Sequence, residues 1–296
     1  MKEPKPGNLQ PPPREKPWLF RMVQEHGHVH TGHILVQQKH PEMKAKRLPS
    51  DIITTLPQTV IETILCLLPV EEAARTSILS REWRYKWTKI PKLEFSMSTF
   101  ILYENFDDEE YPNIIELFTC LPMIEHLTTW AYMVELLVSD WVPEELPTSL
   151  IHLRYLCIER MDFDNCNGLD FLRLLMKCSP NLGTIKLEID RKDHCAELDS
   201  DEVEEYSATL EEYSDVCLEH LNELDIKNFR NLKPELDFVK FILARSPNLK
   251  KVILLTYIND KNEELEMSKI LLRAPRASPV EIVVENIYKE CDDDED

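Results

Sequence analysis

A short pattern returns along this chain and limits what it can fold into. With Ile, Val, Phe or once Ala admitted, L-x-x-L-x-L stands at Leu153/Leu156/Ile158, Leu182/Ile185/Leu187, Leu221/Leu224/Ile226, Leu249/Val252/Leu254 and Ala277/Val280/Ile282. Ile124/Leu127 and Ile90/Leu93/Phe95 are degenerate earlier members. From Ile124 the starts fall 29, 29, 39, 28 and 28 residues apart. The long interval holds the acidic stretch Glu188 to Glu212, an insertion of about ten residues in an otherwise regular array. The text between the motifs repeats as well. L-D-F-L-R-L-L-M-K-C-S-P-N-L (Leu169 to Leu182) and L-D-F-V-K-F-I-L-A-R-S-P-N-L (Leu236 to Leu249) align at an offset of 67. Each reads as a helix ending in a Ser-Pro-Asn turn, with Leu169, Leu172, Leu175 and Met176, or Leu236, Val239, Ile242 and Leu243, as its apolar stripe.

A strand and a helix every 28 or 29 residues cannot bury their apolar sides alone, and stacking such units gives a solenoid. The expected fold is therefore α/β: a leucine-rich-repeat array of strand-helix units over residues 113–285, with a curved parallel sheet. An ordinary layered α/β fold with coincidental spacing is the alternative. Side chains at and beside the strands, among them Arg154, Tyr155, Lys186, Asn222, Asp225 and Lys250, are expected to line a concave surface of mixed charge that suits a protein target.

Composition removes other functions. Glycine is about 7% of ordinary chains, or roughly 20 residues at this length; here there are 5. Only Gly27 and Gly32 lie close together, and His33 and Ile34 stand where a P-loop needs Lys and Ser or Thr. A net charge of -20 argues against nucleic acid as a partner, whose phosphates need clustered cations. The first 47 residues are different, with nine Lys or Arg against four Asp or Glu and a run of prolines. They read as a disordered basic arm (1–47), and 286–296, ending D-D-D-E-D, as a disordered acidic tail. No run approaches the roughly 18 apolar residues of a membrane span and the N-terminus has no apolar targeting core, so the chain reads as soluble and intracellular, cytoplasmic or nuclear. The 8 cysteines include no C-x-x-C pair, so neither a disulfide framework nor a zinc site is expected. His26, His28, His30, His33 and His40 cluster in the arm without a second shell and read as solvated. There is no G-x-S-x-G, H-E-x-x-H or kinase catalytic loop. His152 and His220 take equivalent places in two repeats, which argues for packing or capping, and with His126 they lie near strand starts. No enzyme, cofactor or metal is expected.

Ahead of the repeats, residues 51 to 90 read as three short helices. Pro57 opens the first, which carries Val60, Ile61, Ile64, Leu65 and Leu68; Pro69 ends it; Ser80 caps a third with Trp83 and Trp87 on one face. The run Ile64 to Leu68 is apolar around the whole helix, more than one internal face requires. The text from Asp51 to Phe95 resembles a plant F-box in its L-P opening, its L-P-V-E-E-A-A-R-T-S turn and its closing L-S-R-E-W-R-Y-K-W. Residues 217–285 resemble the FBD region of plant F-box proteins in L-D-I-K-N-F, E-L-D-F-V-K-F-I-L-A-R-S-P-N-L-K-K-V and I-L-L-R-A-P-R-A-S-P-V-E-I-V-V. The chain is thus similar to the plant F-box/FBD/LRR-repeat family, with a three-helix F-box at 50–95 before the solenoid.

That resemblance implies a non-catalytic substrate-recognition subunit of a Skp-cullin-F-box ubiquitin ligase. The F-box would dock on a Skp-type adaptor, and through it a cullin, by Leu56, Pro57, Val60, Ile64, Leu68, Pro69, Val70, Ala73, Leu79 and Trp83. The repeats would hold a target protein. The alternatives are an acidic repeat scaffold that binds basic proteins, with the helical block as its cap, and a truncated member of the family.

Overall fold

The computed structural model describes residues 56–68, 72–73, 76, 79, 83, 86–95, 114–138, 142–163, 166–191, 216–258 and 260–287. The basic arm with its histidine cluster, the acidic insertion past Arg191 and the tail past Ile287 lie outside them, as do most of the second and third helices expected between Pro69 and Trp87.

Among the described residues the elements are α1 (Gln58–Cys66), a 3-10 turn (Trp87–Lys89), β1 (Lys92–Glu94), α2 (Ile114–Cys120), β2 (His126–Trp130), α3 (Ala131–Leu137), β3 (Tyr155–Met161), α4 (Cys166–Cys178), β4 (Thr184–Ile189), β5 (Glu223–Phe229), α5 (Lys233–Arg245), β6 (Lys251–Thr256), α6 (Lys261–Arg273) and β7 (Glu281–Asn286). The seven strands form one curved parallel sheet in sequence order. Each strand therefore pairs only with its neighbours in the chain, as expected of stacked repeats. The twin segments become twin helices: α4 and α5 are both 13 residues long and start 67 residues apart.

The apolar motif positions stack into continuous rows. Leu93, Leu127, Leu156, Ile185, Leu224, Val252 and Ile282 are cross-strand partners in turn, and all but the last are buried. The helices bury more than the stripe read from the sequence. Phe171 and Leu174 on α4 and Phe238 and Phe241 on α5 are also in the core.

A backbone device sets the register where the chain leads into each strand. The carbonyls of Pro91, Glu125, Arg154, Gly183 and Asn222 each accept two N–H groups of the next repeat. The Ser-Pro-Asn turns add a side-chain tie: Asn181 Nδ2 donates to the Ile151 carbonyl at 2.8 Å and Asn248 Nδ2 to the Glu219 carbonyl at 2.6 Å. His220 Nδ1 lies 3.0 Å from the Pro180 carbonyl, a structural tie between repeats. Farther along, β3 and β5 change register at matching places, with Arg160 (φ 55) and Asn228 (φ 58) left-handed, and Asn228 Nδ2 donates to the Ile189 carbonyl.

The last repeat departs from the sequence reading. Val280 was expected in the place of Val252, but Val252 pairs with Ile282 and Leu254 with Val284. The lead-in is two residues longer, and it is held where Ser278 Oγ, 2.9 Å from the Leu249 carbonyl and 3.2 Å from that of Ser246, shares its one proton between them and the Ala277 N–H donates to the Leu243 carbonyl. A slip of two preserves which face each side chain takes. Here the Lys250 carbonyl accepts only Glu281 N–H.

At the other end the helical block shares the repeat core. Ile61, Leu65, Ala73, Trp83, Trp87 and Ile90 form one apolar cluster with Leu93 and Phe95. Lys86 Nζ donates to Gln58 Oε1 at 2.8 Å, tying α1 to the 3-10 turn.

Candidate functional site

Two surfaces gather the residues named from sequence. The first is α1. It is apolar on two sides: Ile61 and Leu65, four residues apart, point into the core, while Val60, Ile64 and Leu68, spaced the same way, point out. Those three are 41%, 39% and 36% exposed, and Leu67 beside them is 81% exposed. Leu67 was absent from the expected docking set, although the all-round apolar run that contains it was its signal. Pro57 is exposed and Leu56 half-buried against the core; Leu79 is exposed at 53%. Two residues of the expected set change role: Ala73 and Trp83 are buried and serve packing, because the block must close its own small core on β1. Pro69 and Val70 lie outside the described residues.

The second surface is the side of the sheet away from the helices. Strand pairing sets its side chains in rows: Lys92, His126, Tyr155, Thr184, Glu223, Lys251 and Glu281 in one, and Glu94, Thr128, Cys157, Lys186, Asp225, Ile253 and Val283 in the next. Beyond these, Glu159 stands level with Trp130, and Glu188 with Lys227. Of the expected target-facing residues, Tyr155, Lys186 and Asp225 meet on this face. Arg154, Asn222 and Lys250 do not belong to its rows. Each stands one residue before its strand and so has the opposite parity, and its carbonyl carries the lead-in bonds. The Asn222 side chain donates to the His220 carbonyl within its own turn.

A depression of about 360 Å³ opens on this face, lined by Glu94, Thr128, Tyr155, Cys157, Glu159, Lys186, Leu187, Glu188, Asp225 and Lys227. Glu94, Thr128, Glu159, Glu188 and Lys227 were not picked out as its members from sequence, because strand register alone brings them together; Cys157 was read toward this face from its place in the strand. Lys186 Nζ lies 3.3 Å from Asp225 Oδ2 and 3.8 Å from Glu223 Oε1. Asp225 is nine-tenths buried, and its Oδ1 has no hydrogen-bond partner. Burial, then the neighbouring charges of Glu188 and Glu94, pushes the Glu159 carboxyl up from its ordinary value. Burial and the adjoining Cys157 push the Tyr155 phenol up to about 12. Burial also raises the Cys157 thiol, the reverse of what a nucleophilic thiolate needs. Among the described residues no group of three or more His, Cys, Asp or Glu converges as a metal site, and no helix is long and apolar enough to cross a membrane.

Known proteins share both parts. The F-box domain model matches residues 47–95, and the FBD model matches 216–254, which spans β5, α5 and most of β6 and stops short of the 285 expected from sequence. An F-box/FBD/LRR-repeat protein of Arabidopsis thaliana is 28% identical over 194 residues, covering 64% of this chain and 45% of the relative. An FBD-associated F-box protein of the same plant is 30% identical over 110 residues, 36% of this chain and 25% of the relative. An F-box/LRR-repeat protein is 44% identical over 55 residues, 19% and 12%. The chain spans less than half the length of these relatives. An F-box in general binds a Skp-type adaptor. With an F-box match ahead of a repeat sheet and an FBD match within it, this chain is similar to the plant F-box/FBD/LRR-repeat proteins.

Proposed function

We propose that this protein is the substrate-recognition subunit of a Skp-cullin-F-box ubiquitin ligase, working in the cytoplasm or nucleus. The observation that carries the reading is the outer stripe of α1. Val60, Ile64, Leu67 and Leu68 leave apolar surface uncovered on the F-box, although Ile61 and Leu65 already satisfy the core. Burying that stripe on a Skp-type adaptor removes it from water at about 25 cal/mol per Å². The adaptor then links the chain to a cullin, and the face of the sheet holds a target protein. The protein performs no chemistry in this account: it raises the effective concentration of the target beside a ubiquitin-charged enzyme. The test is a pull-down of a Skp-type adaptor with the full chain. Capture by the wild type and loss in Ile64→Asp support the reading; a wild type that captures no Skp-type adaptor contradicts it and favours the acidic scaffold.

A further inference from the structure

We propose that the depression on the sheet face is a receptor for one cationic side chain of the target, an arginine above all. The proposal rests on the reading of this face as the target surface and names the chemistry it selects.

The charges are out of balance in a defined way. The depression itself is lined by four carboxylates, Glu94, Glu159, Glu188 and Asp225, against two ammonium groups, Lys186 and Lys227. The adjoining row adds Lys92, Glu223 and its cross-strand partner Lys251. Lys186 and Lys92 are committed to acids already present. Lys186 is held between Asp225 and Glu223, and Lys92 lies 2.8 Å from Glu94. Lys227, level with Glu188, is left to serve both Glu188 and Glu159. Like charges brought this close on a half-buried surface repel each other, and a further cation relieves the repulsion.

A crowd of acids alone would be an ordinary acidic surface. The second observation is Asp225. Its side chain is 12% exposed in the lining of the depression, one oxygen reaches Lys186, and the other is buried with no partner. A buried carboxylate oxygen left unsatisfied carries a desolvation cost that a donor from outside cancels. The half-buried Tyr155, its hydroxyl protonated at neutral pH, stands in the same lining. A guanidinium suits this set better than an ammonium. Its planar fork presents five donors at fixed angles, enough to meet the Asp225 oxygen, Glu159 and the Tyr155 oxygen at once, and it sheds water more readily.

The experiment uses the full chain and a fluorescein-labelled nonapeptide of Gly and Ala with one central Arg, read by anisotropy. Matched peptides carry citrulline, which keeps the shape without the charge, or Lys or Glu. The expected result is saturable binding of the Arg peptide, with Lys weaker and with citrulline and Glu at least about tenfold weaker. Asp225→Asn is expected to weaken the Arg peptide by about tenfold. Because Asp225 is buried, Glu159→Gln on the open side is the second variant, and it should weaken Arg binding while leaving the thermal midpoint in place. The proposal is overturned if neither cationic peptide binds at millimolar concentration, if citrulline or Glu binds as well as Arg, or if both substitutions leave Arg binding unchanged. Adaptor capture reads the F-box and this assay reads the sheet face, so failure of one leaves the other standing.

Discussion

Arg230 holds both oxygens of the buried Glu235: its backbone N–H donates to Oε2 at 2.7 Å and its Nε to Oε1 at 2.8 Å. The pair closes the first turn of α5, inside the FBD segment, where Glu235 also favours the helix dipole. Removing one partner of a buried pair leaves the other uncompensated, so Glu235→Ala should cost about 3 kcal/mol by urea denaturation, and Glu235→Gln less.

The same residue gives a pH signature. Burial outweighs Arg230 and raises the Glu235 carboxyl above its ordinary value. The folded chain therefore keeps this proton to higher pH than the unfolded chain does. Its contribution is complete below the ordinary carboxylate value and is lost as pH rises through the raised one. Stability measured across that window should fall with rising pH by more in the wild type than in Glu235→Gln; parallel profiles would refute the assignment.

The Ser-Pro-Asn turns act by reaching backward one repeat. Asn181→Ala and Asn248→Ala each remove a bond to the preceding loop and should lower stability by about 1 kcal/mol, while Asn→Ser should recover part of it. Equal midpoints for wild type and both alanine variants would show the ties to be incidental.

Much of the fold was legible because a repeat makes the same statement many times. Seven strands share one apolar row, and the 67-residue twin predicted α4 and α5 as a pair. Legibility ended where a contact depends on a neighbour. Nothing local to Ala277-Ser278-Pro279 reveals that Ser278 spans two carbonyls and that β7 pairs two residues late. Arg154, Asn222 and Lys250 have the composition of a binding face but the parity of a turn. The depression was hidden for the same reason: Glu94 and Glu188 are distant in sequence and meet only through cross-strand register. On the F-box, the run Ile64 to Leu68 announced surplus apolar surface, but sequence did not separate its outward residues from the buried Trp83.

That separation is itself testable. Trp83 is buried with Ile61 and Trp87, so Trp83→Ala should cost about 3 to 5 kcal/mol, and any loss of adaptor binding should follow loss of folding. Leu67→Asp, at a residue 81% exposed, should leave the midpoint within about 0.5 kcal/mol of wild type. If Leu67→Asp unfolds the block and Trp83→Ala does not, the exposed and buried residues of the helical block have been assigned the wrong way round.

The most direct measurement is a calorimetric titration of the purified full chain with a Skp-type adaptor, repeated with Ile64→Asp and Leu67→Asp. The account predicts one-to-one binding for the wild type, weakened by at least about a hundredfold in each variant, with thermal midpoints unchanged. A wild type that does not bind, or variants that bind as tightly as the wild type, would contradict it.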